Sequence, residues 1–144
     1  PIFTPADQKF EIGKSLLLNE GADVSIFATG HLVWKAIEAG EQLAEKGIDA
    51  EIINIHTIKP LDDAAVLASA KKTKCVVTAE EHQMHGGLGD SIAQLLSREL
   101  PTPLEMVAVN DSFGESGTPD QLMTKYGLDT SDIVAAAEKA IKRK

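Results

Sequence analysis

The residues of this chain that could do chemistry gather in four short polar stretches. They are Thr29-Gly30-His31, His56-Thr57-Ile58-Lys59, Glu80-Glu81-His82-Gln83-Met84-His85-Gly86-Gly87 and Asn110-Asp111-Ser112-Phe113-Gly114-Glu115-Ser116-Gly117. All four histidines lie in them. His31, His56, His82 and His85, with Glu80 and Glu81, are the residue types of a zinc site, which needs three or four convergent donors. The His-x-x-His spacing falls on a loop with no accompanying thiol, so hydrogen-bonding loop histidines are the simpler reading. Gly86-Gly87-Leu88-Gly89 follows an apolar run and opens a helical pattern, the setting in which backbone N–H groups cradle an anion. The dinucleotide fingerprint G-x-G-x-x-G fails here, because Ile92 stands where the third glycine is required. Close approach of the backbone to a neighbouring surface explains these glycines with fewer assumptions. Ser116, in Gly-Glu-Ser-Gly, does not match the G-x-S-x-G nucleophile elbow. The neighbours Asp62-Asp63 and Glu80-Glu81 diverge in regular structure, so neither pair makes an acid–base couple. Cys75, inside an apolar run, reads as a buried and inert thiol. Trp34 and Phe27 read as core or helix–sheet seam. These residues form no complete catalytic constellation.

Each polar stretch follows an apolar, β-prone run: Val24–Thr29, Ala50–Ile55, Lys74–Ala79 and Leu104–Val109. Between the runs, apolar residues recur at helical spacing. Leu32, Val33, Ala36, Ile37, Leu43 and Ala44 predict a helix stopped by Gly47, placed as a C-terminal glycine. Asp62 or Asp63 caps a helix through about Lys72. Leu88, Ile92, Leu95, Leu96 and Glu99 mark the faces of a third helix, which Pro101 and Pro103 end. Thr118-Pro119 reads as a helix start and Gly127 as its stop. Thr130 or Ser131 caps the last helix, Asp132–Lys142. Phe10–Leu18 is joined to the next strand by too short a turn for a crossover, so an antiparallel edge strand is expected. The sum is an α/β fold: a three-layer α/β/α sandwich with a mostly parallel five-stranded sheet and one antiparallel edge strand, in a single domain spanning residues 1–144. In such sheets ligands and partners meet the loops at the carboxyl ends of the strands. That edge carries all four polar stretches.

Composition narrows the partners. The 144 residues hold 14 Lys plus Arg against 22 Asp plus Glu, a net charge of −8. Nucleic-acid binding through clustered cations is therefore not expected. The basic cluster Lys142-Arg143-Lys144 reads as a helix end complementing its own dipole. No apolar run is long enough to predict a membrane span, and no signal peptide is apparent. One cysteine points to a reducing compartment, with the cytoplasm as the default. With Pro1 in first place, a piece of a longer polypeptide is a reasonable expectation.

Several segments match a known family in order. They are Phe10-Glu11-Ile12-Gly13-Lys14; Asp23-Val24-Ser25-Ile26-Phe27-Ala28-Thr29-Gly30; His56-Thr57-Ile58-Lys59-Pro60-Leu61-Asp62; Glu80-Glu81-His82 leading to Gly86-Gly87-Leu88-Gly89; Phe113-Gly114-Glu115-Ser116-Gly117; and Tyr126-Gly127-Leu128. Together they resemble the C-terminal domain of transketolase and related thiamine-diphosphate enzymes. The Glu-His loop with Gly-Gly-x-Gly is shared with deoxyxylulose-phosphate synthase and the beta subunits of 2-oxo acid dehydrogenases. Phe113–Pro119 looks most like transketolase, notably the form encoded as two subunits.

The resemblance implies a two-carbon ketol transfer between sugar phosphates, in the pentose phosphate pathway, by the complete enzyme. It implies thiamine diphosphate and a divalent metal, magnesium or calcium, held by other domains. No Gly-Asp-Gly diphosphate motif occurs here, and Gly89-Asp90-Ser91 is not one. The expected role is therefore structural: docking to the N-terminal and pyrimidine-binding domains and to a homodimer partner. No catalytic, cofactor or metal residue is carried over. The interface candidates are His82, Gly86, Gly87, Gly89, Phe113, Glu115 and Ser116. Three other readings stay open: the equivalent domain of deoxyxylulose-phosphate synthase or of a 2-oxo acid dehydrogenase beta subunit, a small-ligand or nucleotide-binding regulatory module using the same loops, and a metal-assisted hydrolase built on the four histidines.

Overall fold

The computed structural model describes residues 15–56, 61–83, 87–109 and 129–144. In chain order these form β1 (Leu16–Asn19), β2 (Val24–Ala28), α1 (Leu32–Glu45), β3 (Ala50–Asn54), α2 (Asp63–Thr73), β4 (Val76–Gln83), α3 (Leu88–Glu99), β5 (Leu104–Val109) and α4 (Thr130–Arg143). The strands make one sheet in the order β1-β3-β2-β4-β5. Every pairing is parallel except β1 with β3, where Leu16 lies opposite Asn54 and Leu17 opposite Ile53. The expected edge strand thus begins at Leu16; the earlier part of Phe10–Leu18 lies outside the described residues, as does the Thr118–Gly127 helix.

The strand order dictates the layers. From β2 the chain moves to one side, through α1 to β3, then crosses back over β2, through α2 to β4. Right-handed crossovers in opposite directions must place α1 and α2 on opposite faces of the sheet. Two separate cores follow. On one face Leu32, Ala36, Ala39 and Leu43 of α1 and Ile133, Val134, Ala137 and Ala140 of α4 pack on Val24, Ile26, Ile52 and Val77. On the other, Val66 and Ala70 of α2 and Leu88, Ile92, Leu95 and Leu96 of α3 pack on Phe27, Ile53 and Val76. The central strand β2 is buried along its whole length, as a strand covered on both faces must be.

Local signals set the end of α1 and the start of α2. Gly47 adopts φ +78° after α1. Its N–H donates to Ala44 O, and Ile48 N–H donates to Leu43 O at 2.9 Å, which is the Schellman pattern. Asp62 is the N-cap of α2, and its carboxylate accepts from Ala65 N–H. Gly21 lies so close to β3 that a Cβ there would overlap the backbone of Ala50 and Glu51.

Four readings need correction. β4 does not end at Ala79 but continues through Gln83, because the side chain of Glu80 finds buried partners and Gln83 pairs with Val109 after a register shift. The last helix is capped by Asp129 rather than Thr130 or Ser131, in a capping box closed by Asp132; a carboxylate one residue earlier reaches the free N–H groups and is answered by a second carboxylate at N3. Trp34 is 48% exposed and belongs to no core, since α1 buries its positions 32, 36, 39 and 43 and turns position 34 outward. Cys75 stands just before β4 rather than inside a strand; it is buried, its Sγ donates to Asp23 O, and burial pushes its thiol pKa up.

The basic tail does more than complement a dipole. Arg143 Nη1 donates to Leu104 O at 3.0 Å and pairs with Glu105. Lys144 Nζ donates to Asp23 O at 2.7 Å and Thr73 O at 3.0 Å. The last turn of α4 thereby ties together the amino-terminal ends of β2 and β5 and the end of α2.

Candidate functional site

The strand order reverses at β2, so the crevice at the carboxyl ends of β3, β2 and β4 is where a doubly wound sheet offers a binding edge. Thr29 follows β2, and its N–H donates to Ala79 O at 3.2 Å, while Ile55 N–H after β3 donates to Ala28 O at 2.9 Å. The three strand ends are thus held level. Gly30 turns the chain with φ +62°, a conformation that L side chains rarely adopt. His31 follows as the exposed first residue ahead of α1, and His56 is half-buried after β3.

Glu80 and Glu81, neighbours on β4, point to opposite sides, as strand geometry requires. Glu81 Oε1 accepts the His31 N–H at 2.8 Å and so clamps the turn after β2 to the end of β4. Glu80 is wholly buried. Its Oε1 accepts Leu88 N–H at 2.7 Å, and its Oε2 accepts Gly89 N–H at 2.6 Å. These are two of the free N–H groups that open α3, and the N-cap Gly87 has no side chain to satisfy them. The carboxylate also meets the positive end of the helix dipole.

This decides what the glycine-rich helix start can do. The N–H groups that could cradle a phosphate already bind an internal carboxylate. An incoming diphosphate would have to displace Glu80 or sit against its charge, so the residues here do not fit thiamine diphosphate. Gly89 has a second reason to be glycine: a Cβ would stand 2.9 Å from Thr78 Oγ1 and 3.0 Å from Met106 Sδ. Its absence lets α3 settle onto β4 and β5. Among the described residues no group of three or more His, Cys, Asp or Glu is placed to hold a metal ion. No helix among them is long and apolar enough to cross a membrane.

Of the interface candidates, Gly87 is the N-cap of α3 and Gly89 lies in its first turn. His82 is within β4. Gly86, Phe113, Glu115 and Ser116 lie outside the described residues, as does His85. Glu80 and Glu81 were absent from the candidates although they hold the edge together. One signal pointed to Glu80: a helix opened by glycine lacks a capping side chain, so its acceptor must come from another element.

Comparison with known proteins bears on this edge. Residues 13–133 match the family described as transketolase, C-terminal domain. A 6-deoxy-6-sulfo-D-fructose transketolase subunit of Clostridium sp. (strain MSTE9) is 49% identical over 138 residues, covering 96% of this chain and 43% of that protein. A 1-deoxy-D-xylulose-5-phosphate synthase of Geobacter sulfurreducens is 40% identical over 145 aligned residues, covering 97% of this chain and 23% of that protein. Among solved structures, a split-gene transketolase, in an inactive beta4 tetramer, superposes with a TM-score of 0.93 at 46% identity, covering 99% of this chain and 46% of that one. The chain therefore spans less than half the length of each of these relatives.

Proposed function

Because this chain belongs to the transketolase C-terminal domain family, we propose that it is the assembly domain of a thiamine-diphosphate-dependent transketolase. In this reading the complete enzyme moves a two-carbon ketol unit between sugar phosphates. The cofactor and its divalent metal sit in the N-terminal and pyrimidine-binding domains, and this domain docks to them and to a second copy through the carboxyl edge of its sheet. The supporting observation is Glu80: its carboxylate fills the helix start that could otherwise take an anion. A helix start whose N–H groups already bind an internal carboxylate leaves no cradle for the cofactor there, while it can present a fixed surface to a protein partner.

The greater identity to a transketolase subunit than to the deoxyxylulose-phosphate synthase favours the ketol-transfer branch. The similar solved protein, a split-gene transketolase in an inactive beta4 tetramer, supports docking between copies. Exposed Trp34, close to the turn at His31, suits such a surface, since tryptophan is enriched among interface anchors.

The test is calorimetric and enzymatic. Thiamine diphosphate with magnesium, titrated into the chain by itself, should give no binding heat and no ketol transfer. Joining the chain to the cofactor-binding domains should restore transfer, and His82→Ala should weaken that association while the chain stays folded. Saturable cofactor binding or turnover by the chain alone would overturn the proposal.

A further inference from the structure

The pole opposite the docking edge carries a cleft that the assembly role does not use. It has a volume of about 450 Å³ and lies between the end of α2, the stretch Leu100–Pro103 and the last residues of α4. That volume falls within the range of small-molecule sites. Its apolar walls are Ala70, Leu100, Pro101 and Pro103, and the charged residues lining it are Lys71, Lys74, Arg143 and Lys144, with no acidic residue among the described residues of the lining. Four cations together stand out in a chain of net charge −8.

Helix ends account for only part of this charge. Three helices finish around the cleft, and cations at such ends offset the dipole. Lys144 already binds the terminal Thr73 carbonyl of α2, Arg143 is paired with Glu105, and Lys72 of the same turn is taken by Glu51. Lys71 and Lys74 are exposed and make no ion pair among the described residues. Lys74 also holds φ +69°, the one non-glycine residue with positive φ among those described. Glycine is the usual occupant of that position after a helix. A strained lysine there is accounted for if its charge is used. Two of the wall's polar groups are already bonded within the chain: Pro103 O accepts from Val76 N–H, and Thr102 Oγ1 donates to Leu100 O. The cleft thus sets apolar side chains beside lysine charge.

We infer that this cleft binds an organic anion, a phosphate or carboxylate carried on a rigid apolar body, with Lys71 and Lys74 on the charge and Leu100, Pro101 and Pro103 against the body. The site is separate from the docking edge and does not depend on the transketolase reading.

The probes are 1-naphthyl phosphate and 1-naphthoate, with inorganic phosphate and 1-naphthol as their separated halves. Titration followed by amide NMR should show saturable binding of at least one joined probe, about tenfold tighter than either half, as expected when charge and apolar contact act on one ligand. Shifts should centre on residues 70–74, 100, 102, 143 and 144. Lys71→Gln should weaken binding several-fold. Lys74→Gly is the decisive variant: by relieving the positive-φ strain it should raise the melting temperature, and by removing the charge it should weaken the probe about tenfold. Weakened binding in a more stable protein cannot come from misfolding. The inference is overturned if neither joined probe saturates, if shifts centre on residues 29–31, 55–56 and 87–89, or if Lys74→Gly binds as tightly as the unaltered chain.

Discussion

Replacing Glu80 by glutamine removes a charge and almost no volume, so its effect isolates what the carboxylate does for α3. In the native chain two short hydrogen bonds, 2.7 Å to Leu88 N–H and 2.6 Å to Gly89 N–H, end on a fully buried carboxylate. Hydrogen bonds to a charged group contribute about 1.5–3 kcal/mol each, and a buried N–H left without an acceptor costs about 1–3 kcal/mol. Glutamine keeps one acceptor oxygen but turns an NH₂ donor toward the other N–H. One bond is lost and two donors face each other, for a net loss of about 2–3 kcal/mol. Glu80→Ala strands both amides and opens a cavity, for about 4 kcal/mol. At about 3 °C per kcal/mol for a domain of this size, Glu80→Gln should melt about 6–9 °C lower. Thermal denaturation measures the shift, and hydrogen exchange locates it: the Leu88 and Gly89 amides should lose protection before the rest of α3. A glutamine variant with the melting temperature and amide protection of the unaltered chain would refute the assignment of this carboxylate as the cap of α3.

Two further outcomes follow from contacts elsewhere in the fold. Gly21→Ala should unfold the chain or cost more than about 3 kcal/mol, because the new methyl meets backbone that cannot yield; Gly40→Ala meets only the tip of Ile52 and should be tolerated, as paired denaturation curves would show. For Glu51, burial alone would push the carboxyl up, but hydrogen bonds from Lys72, Ser69 and Gly21 N–H, with the charge of Lys72, bring it below its ordinary value. Between the lowered and the ordinary value the unfolded chain binds the extra proton, so the stability that Glu51 adds at neutral pH must drain away as the solution is acidified through that window. The stability gap between the unaltered chain and Glu51→Gln should therefore narrow toward acid; a gap that stays constant down to acid pH would show that the Lys72 pair does not lower Glu51.

The chain's own pattern was enough for the layered α/β fold. The run Val24–Ala28 is buried throughout because a central parallel strand is covered on both faces, and Gly47 and Asp62 end and begin helices through bonds to residues within a turn. Period and capping are local physics, carried by neighbours along the chain. The ordered motifs likewise pointed to the family that residues 13–133 match. What could not be read this way depended on partners brought together by folding. Glu81 reaches His31 across 50 positions, and Lys144 reaches Asp23 across 121. Glu80 looks like a loop acid until α3 is seen to open on a glycine with no cap of its own, and Trp34 looks like core until the register of α1 turns it outward. A side chain's type states which bonds it can make; which of them it makes is set by the element that the tertiary fold places opposite it.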